Sequence, residues 1–259
     1  MHPVLVDVRG LSVGTHEAFV ALGLLVAVGV FRLEARRRGE SDPRLWTVVA
    51  VALAWGGVFM YLGTWLQHLD LSRNPGFVEQ VLYGNRSVIG GLLGAYAGAL
   101  VGKRVTGYRA RTGALFAPAV AAGMAVGRVG CLLTEAPGRP TGHAWGVVLD
   151  AEAARYTGSV AGVPLHPTYL YEIAFHVVAL VLIVRHRDRL AEPAGLFTVY
   201  VAAYAAFRFA VEFVRANEVA WLGLTRPQLV LLALTPLALW RAALVLRAPR
   251  PAPVLQEAS

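Results

Sequence analysis

Mostly apolar stretches recur along the chain at roughly 17–33, 46–66, 87–105, 113–133, 169–184, 194–214 and 227–247. Each approaches the about 20 residues that a helix needs to cross the hydrocarbon core of a bilayer. The pattern predicts an all-α integral membrane protein with seven transmembrane helices in a single domain, 1–247. The third and fourth stretches are rich in Gly and Ala, a composition that favours close helix contacts over lipid exposure. The longest polar connections, about 67–86 and 134–168, are expected to form a loop or head region, and long loops usually carry function or cover a site. The last segment, 248–259, reads as a Pro-rich, unstructured tail.

Charge then orients the helices. The 259 residues are 56% apolar and only 15% charged, yet Lys+Arg is 24 against Asp+Glu 16, a net charge of +8. This composition excludes a disordered chain and a nucleic-acid-binding tail protein, so no nucleic-acid partner is expected, and it disfavours a soluble enzyme. Fifteen of the 24 basic residues fall near or beyond the ends of the first, third, fifth and seventh stretches, among them Arg36, Arg37, Arg38, Arg104, Arg187 and Arg247. The positive-inside rule places these ends in the cytoplasm, with the N-terminus outside, the C-terminus inside and both long loops outside. The N-terminus lacks the cationic start and cleavage site of a secretory signal peptide, so the first stretch is expected to stay in the membrane. Cys131 is the only cysteine, which excludes an intrachain disulfide and a cysteine-based zinc cluster.

Two basic residues, Arg128 and Arg208, cannot be assigned to loops. An ionisable group at depth in a bilayer costs several kcal/mol and is a functional candidate by default. Arg128 lies between glycines in Val126-Gly-Arg-Val-Gly-Cys131, and its planar fork suits phosphate or carboxylate. The same position also suits an arginine that snorkels or pairs with a structural carboxylate. Tyr204, Arg208 and Glu212 follow one another at i, i+4 spacing, which puts a polar stripe on one helical face. His166-Pro-Thr-Tyr-Leu-Tyr171-Glu172 begins the fifth helix with a dense polar cluster, readable as a cap or as part of a site. Gly90, Gly94 and Gly98 form a small-residue ridge, and Gly90 and Gly91 at a helix start have N–H groups that suit an anion. His16-Glu17 opens the first helix, where a lone His is more often a hydrogen-bonded edge residue. Together these residues describe a pocket near the outer leaflet for an anionic lipid headgroup. A seven-span retinal protein is excluded by the position of the only lysine, Lys103, in a loop. A transporter is disfavoured by the lack of internal repeats.

The motifs resemble those of the prolipoprotein diacylglyceryl transferase family, in matching order from the first helix to the seventh. The family's central signature resembles Gly127-Arg128-Val-Gly130-Cys131 with Glu135 and Gly138-Arg139. Its His-Pro-x-x-Leu-Tyr-Glu motif resembles 166–172, its Tyr-x-x-x-Arg-Phe-x-x-Glu-Phe-x-Arg pattern resembles 204–215, and its Leu-Thr-x-x-Gln pattern resembles Leu224 to Gln228. The resemblance implies transfer of the diacylglyceryl group of phosphatidylglycerol to the lipobox cysteine thiol in a prolipoprotein signal peptide. Glycerol phosphate is released, without metal or cofactor, in a bacterial cytoplasmic (inner) membrane. It implies that Arg128 and Arg208 bind the headgroup and stabilise the departing phosphate. Tyr204, Glu212, Glu135, Arg139, His166, Tyr171, Glu172, Gly90, Gly91 and Gln228 are then substrate-binding candidates. Cys131 is expected to pack, since the reacting thiol belongs to the substrate.

The chain also departs from the family. Ile89 stands where the family has a His before Gly-Gly, its leading candidate for thiol deprotonation. His16-Glu17 replaces a Tyr-Gly, Gly57-Val58 replaces a Gly-Arg, and the signature is about one residue short before Glu135. His16 or Glu17 is therefore the candidate replacement base. The alternative reading is a divergent member that binds anionic phospholipid or modifies another acceptor without the usual thiol activation.

Overall fold

The computed structural model describes residues 4–8, 11–65, 76, 78–79, 87–190 and 192–248. Most of the expected loop 67–86 and all of the expected tail beyond Ala248 lie outside the described residues. The elements in chain order are β1 (Val4–Val8), β2 (Leu11–Gly14), α1 (Thr15–Arg37), α2 (Arg44–Trp65), α3 (Val88–Thr106), α4 (Gly113–Thr134), β3 (Val147–Val148), α5 (Ala151–Thr157), β4 (Pro164–Leu165), α6 (Thr168–His186), α7 (Gly195–Val211) with a 3-10 turn at Glu212–Val214, β5 (Val219–Trp221), β6 (Leu224–Thr225) and α8 (Arg226–Arg247). Among the described residues, seven helices are long and apolar enough to cross a membrane: α1, α2, α3, α4, α6, α7 with its 3-10 turn, and α8. They coincide with the seven predicted stretches. Most ends fall within three residues of the predicted ones, and α1 runs on to Arg37 because Arg36 and Arg37 continue the helix. The periodicity did not announce the antiparallel two-stranded ribbons found among the described residues, β1–β2, β3–β4 and β5–β6. Their strands are two to five residues long, too short to give an alternating signal.

The chain divides into two compact units, Gly39–Ala110 and the remainder. In the first, α3 lies against α2 along its glycine ridge. A Cβ added to Gly98 would sit 2.7 Å from the carbonyl oxygen of Val51 and 2.6 Å from Cβ of Trp55. Only a missing side chain permits that approach. Ser87 caps α3, and Gly107 ends it in the left-handed region at φ +68°. In the same unit, burial and the neighbouring Glu40 carboxylate push the Tyr108 hydroxyl up to about 12.

In the larger unit α1 and α4 meet by the same device. A Cβ on Gly23 would lie 2.6 Å from the carbonyl oxygen of Gly123 and 3.0 Å from the amide of Gly127. Ala117 and Ala121 of α4, Ile183 of α6 and Leu196 and Tyr200 of α7 form the apolar core of this unit. Val177, Val178, Val181 and Leu182 of α6 stay exposed, as expected of a lipid-facing side. At one end of the unit Glu34 is buried and accepts from Arg37, Arg38 and Arg187, each at 2.7 Å. At the other end, residues 138–141 and 164–166 run antiparallel, through Gly138 N to His166 O (2.7 Å), His166 N to Arg139 O (2.9 Å) and Thr141 N to Pro164 O (2.9 Å). The Arg139 amide also donates to the Val214 carbonyl at 2.8 Å. These bonds fasten the end of α4, the start of α6 and the end of α7 to one another.

Gly98→Val should therefore lower thermal stability by about 1–3 kcal/mol through overpacking. Gly29→Ala, where an added Cβ meets nothing within 4 Å, should leave stability unchanged or slightly raised. Thermal unfolding in detergent micelles distinguishes the two.

Candidate functional site

The fastened helix ends carry nearly all the polar groups that the membrane would otherwise reject. Glu172, in the first turns of α6, is fully buried. Its Oε2 is 2.7 Å from Nη2 of Arg128 on α4, and its Oε1 accepts from Nη1 of Arg215 at 2.9 Å. Tyr204 of α7 closes the triangle: its hydroxyl donates to Glu172 at 3.3 Å and accepts from Arg128 at 3.4 Å. Arg215 also donates to the Tyr169 hydroxyl at 3.0 Å, and its guanidinium carbon lies 4.6 Å from the centre of that ring. Burial works against the charge of Arg215, but the Tyr169 hydroxyl and the Glu172 carboxylate outweigh it and raise its pKa.

Arg208 pairs along α7 with Glu212, as the i, i+4 spacing predicted. Glu212 is fully buried and accepts also from Asn217 and, at 2.9 Å, from Thr225. Nε of Arg215 lies 3.7 Å from Glu212 and so connects the two carboxylates. Three guanidinium groups, those of Arg128, Arg208 and Arg215, thus share two fully buried carboxylates. Nε of Arg128 and Nε of Arg215 are buried without a hydrogen-bond partner among the described residues. An arrangement with surplus cations and unspent donors is suited to an anion with several acceptor oxygens.

Tyr169 extends the network outward by donating to Glu135. The other oxygen of Glu135 is 3.4 Å from Nδ1 of His16, and the same nitrogen is 3.9 Å from Sγ of Cys131. Cys131 in turn lies 3.6 Å from Nη1 of Arg128. His16 and Glu135 are partly exposed, with side chains 24% and 40% accessible, whereas Cys131 is buried.

Residues 3–244 match the family described as prolipoprotein diacylglyceryl transferase. The chain belongs to the prolipoprotein diacylglyceryl transferase family. It is 31% identical to the phosphatidylglycerol–prolipoprotein diacylglyceryl transferase of Dehalococcoides mccartyi (strain ATCC BAA-2266 / KCTC 15142 / 195), over 91% of this chain and 90% of the relative. It is 31% identical to the protein of that name from Geobacter sulfurreducens, over 86% and 85%, and 27% identical to that of Clostridium tetani, over 84% and 86%.

The transferase-family fold thus joins Arg128, Tyr204, Glu172, Glu135, His16, Arg208 and Glu212 in one continuous chain of contacts. Other sequence candidates stand apart from it. His166 and Tyr171 pair with each other at 3.1 Å beside Trp145, and the side chain of Arg139 is exposed. Gln228 is spent on the fold: it forms a capping box with Thr225 at the start of α8 and donates to the Phe209 carbonyl. Gly90 and Gly91 lie in the Gly39–Ala110 unit. Their N–H groups donate to the hydroxyl and carbonyl oxygens of Ser87, at 3.0 and 2.9 Å, so neither is free for an anion, and the two glycines serve the packing of α3.

Sequence reasoning missed Arg215, Tyr169 and His176. Arg215 ends the 204–215 pattern just beyond an apolar stretch, and Tyr169 stands inside the 166–172 motif; neither position by itself marks a buried partner. His176 is fully buried, with Nδ1 3.0 Å from the Tyr200 hydroxyl and its ring against Tyr204. Its i+4 spacing from Glu172 was the available signal.

Removing the charge of Glu172 should leave two arginines without their shared counter-ion. Glu172→Gln should cost about 3–5 kcal/mol of stability, the range for breaking a buried pair. Tyr169→Phe, which removes hydrogen bonds but no charge, should cost about 0.5–1.5 kcal/mol. Unfolding temperatures of the two variants check the order.

Proposed function

We propose that the protein is a phosphatidylglycerol–prolipoprotein diacylglyceryl transferase acting in lipoprotein maturation. The observation that carries this reading is the buried arginine cluster, three guanidinium groups against two carboxylates, in a chain of this family. The acceptor is the lipobox cysteine of a prolipoprotein signal peptide. Its sulfur attacks the glyceryl carbon, the carbon–oxygen bond to phosphate breaks, and glycerol phosphate leaves. Negative charge grows on the departing phosphate, so donors fixed in advance around it lower the barrier. Arg128 and Arg208 supply that stabilisation, with Arg215 as a third cation. Tyr204 orients the phosphate. Glu172, Glu212 and Glu135 hold the arginines in position, and each arginine keeps its fixed direction because its carboxylate is itself held. His166, Tyr171 and Arg139 lie on the loop side, where they suit the acceptor peptide or the headgroup hydroxyls. His16, with Glu17 on the exposed side of the same helical turn, is the candidate group for thiol activation.

The site faces outward from a bacterial cytoplasmic (inner) membrane, with the Glu34 cluster on the cytoplasmic side. Arg37, Arg38 and Arg187 support that orientation, being part of the cationic excess. A fluorescent-protein fusion after Ser259 should fluoresce, and an alkaline phosphatase fusion at the same point should be inactive. The reverse pattern would overturn the orientation.

Expression in a bacterium depleted of its own transferase should restore lipid attachment to a lipobox substrate. Arg128→Ala should reduce the transfer rate by about 10²–10³-fold, the scale of losing one fixed charge-stabilising donor. A well-expressed intact protein that gives no rescue would instead favour a family member acting on another acceptor. Full transfer by both His16→Ala and Glu17→Ala would remove this turn of α1 from thiol activation.

A further inference from the structure

The transferase reading leaves one chemical requirement open. A thiol must reach the glyceryl carbon as thiolate, and Ile89 offers no base. The fold brings the ring of His16 close to the arginine cluster instead. α1 and α4 nearly touch there: a Cβ on Gly130 would lie 3.2 Å from Cα of His16. Sγ of Cys131 is 3.9 Å from Nδ1 of His16 and 3.6 Å from Nη1 of Arg128, so a single buried side chain separates the ring from the guanidinium. An attacking sulfur stands about 3–3.5 Å from its carbon. A thiol at the ring and a phosphate at Arg128 are therefore within reach of one lipid molecule.

A proton acceptor needs a free lone pair, and a neutral imidazole has one only on the nitrogen that carries no hydrogen. The neighbours of the ring decide which nitrogen that is. Oε1 of Glu135 lies 3.4 Å from Nδ1, and a carboxylate accepts but cannot donate. The proton of the ring is thereby drawn to Nδ1. Among the described residues no hydrogen bond or ion pair engages Nε2, and the side chain is partly open to solvent. A separation of 3.4 Å is loose for a hydrogen bond, as such contacts often are before substrate binds; they tighten in the reacting complex.

Glu135 is itself held from behind. Arg215 donates to the Tyr169 hydroxyl, and that hydroxyl turns its own hydrogen onto Oε2 of Glu135. Arg215 is in turn paired with Glu172, the carboxylate that also fixes Arg128. One network thus orients both the ring and the guanidinium. An acid at one ring nitrogen and a thiol at the other is the arrangement of a histidine base, here with the thiol supplied by the acceptor.

We propose that Glu135 is the positioning residue of His16: it holds the ring with its proton on Nδ1, so that Nε2 takes the proton of the acceptor thiol. The proposal rests on the transferase reading for the reaction, and on this chain's own contacts for the pair. The S–H bond breaks as Nε2 gains the proton. The electron pair left on sulfur forms the S–C bond while the C–O bond to phosphate breaks, and the phosphate leaves with that second pair beside Arg128. The charge gained by the ring is offset by Glu135, and the proton on Nε2 then passes to water at the exposed edge of the ring. No group is oxidised or reduced.

The pair can be tested without any transfer assay. Nitrogen-15 NMR of histidine-labelled full chain in detergent micelles, at about pH 9 where an ordinary imidazole is neutral, reports which ring nitrogen carries the proton. The His16 signals are identified by their loss in His16→Gly. Nδ1–H is expected in the unaltered protein, and Nε2–H in Glu135→Gln, whose amide can donate to Nδ1. Nε2–H in the unaltered protein, or the same tautomer in both, overturns the proposal. In the transfer assay, His16→Gly should lower kcat about 10²–10⁴-fold, the span of general-base catalysis, and free imidazole should restore part of the loss. Glu135→Gln should lose much of the same factor with KM for phosphatidylglycerol unchanged, and the double variant should be no slower than His16→Gly, since the two act as a unit. Losses that multiply in the double variant would make Glu135 a structural residue only, and no rescue by imidazole would remove His16 as the base. An unaltered protein that transfers nothing to a lipobox substrate counts against the transferase reading and with it the step, and the NMR experiment still decides the pair.

Discussion

One end of the larger unit depends on how a single buried carboxylate is shared. Glu172 accepts from Arg128 and Arg215 through different oxygens, and so ties α4 and the segment after α7 to the start of α6. None of the three groups is tolerable alone in a dry interior, where an isolated charge costs many times the net stability of a domain. Paired, they are mutually required, and the requirement is directional: each guanidinium is held by more than one acceptor or ring. Stability and site geometry are therefore the same property here. The arginines are aimed because the carboxylates that neutralise them are immobile.

The backbone prepares this arrangement. Residues 138–141 pair with 164–166, and the Arg139 amide reaches Val214, so three helix ends are joined before any side chain is considered. An added Cβ at Gly138 would collide with the Val214 carbonyl and with Thr168, which makes the close crossing a matter of a missing side chain. At the other end of the unit, Glu34 with its three arginines uses the same chemistry with surplus charge exposed rather than enclosed. The comparison separates two uses of arginine in one chain, one at a partly exposed helix end and one held within the fold.

Much of the site was legible in the sequence for a single reason: charged residues inside apolar stretches have few innocent explanations. Arg128, Arg208, Glu172 and Glu212 were found that way, and the Arg208–Glu212 pair followed from helical spacing alone. Arg215 was not, because it lies one residue past the apolar stretch and its burial comes from Tyr169, 46 positions away. Gln228 and the Gly90–Gly91 pair carried the right chemistry, but local hydrogen bonds consume it, through the α8 capping box and the Ser87 cap.

Seven membrane-length helices, their boundaries to within a few residues and the identity of the buried charges belong to the sequence itself, since hydrophobic length and the cost of a charge in hydrocarbon are local quantities. Which charges share a partner belongs to the tertiary structure. The meeting of His16 with Cys131 and Glu135 spans more than a hundred residues and hangs on glycines that let α1 and α4 approach closely. No periodicity records such an encounter, because it is fixed by packing distance between helices and not by spacing along either one.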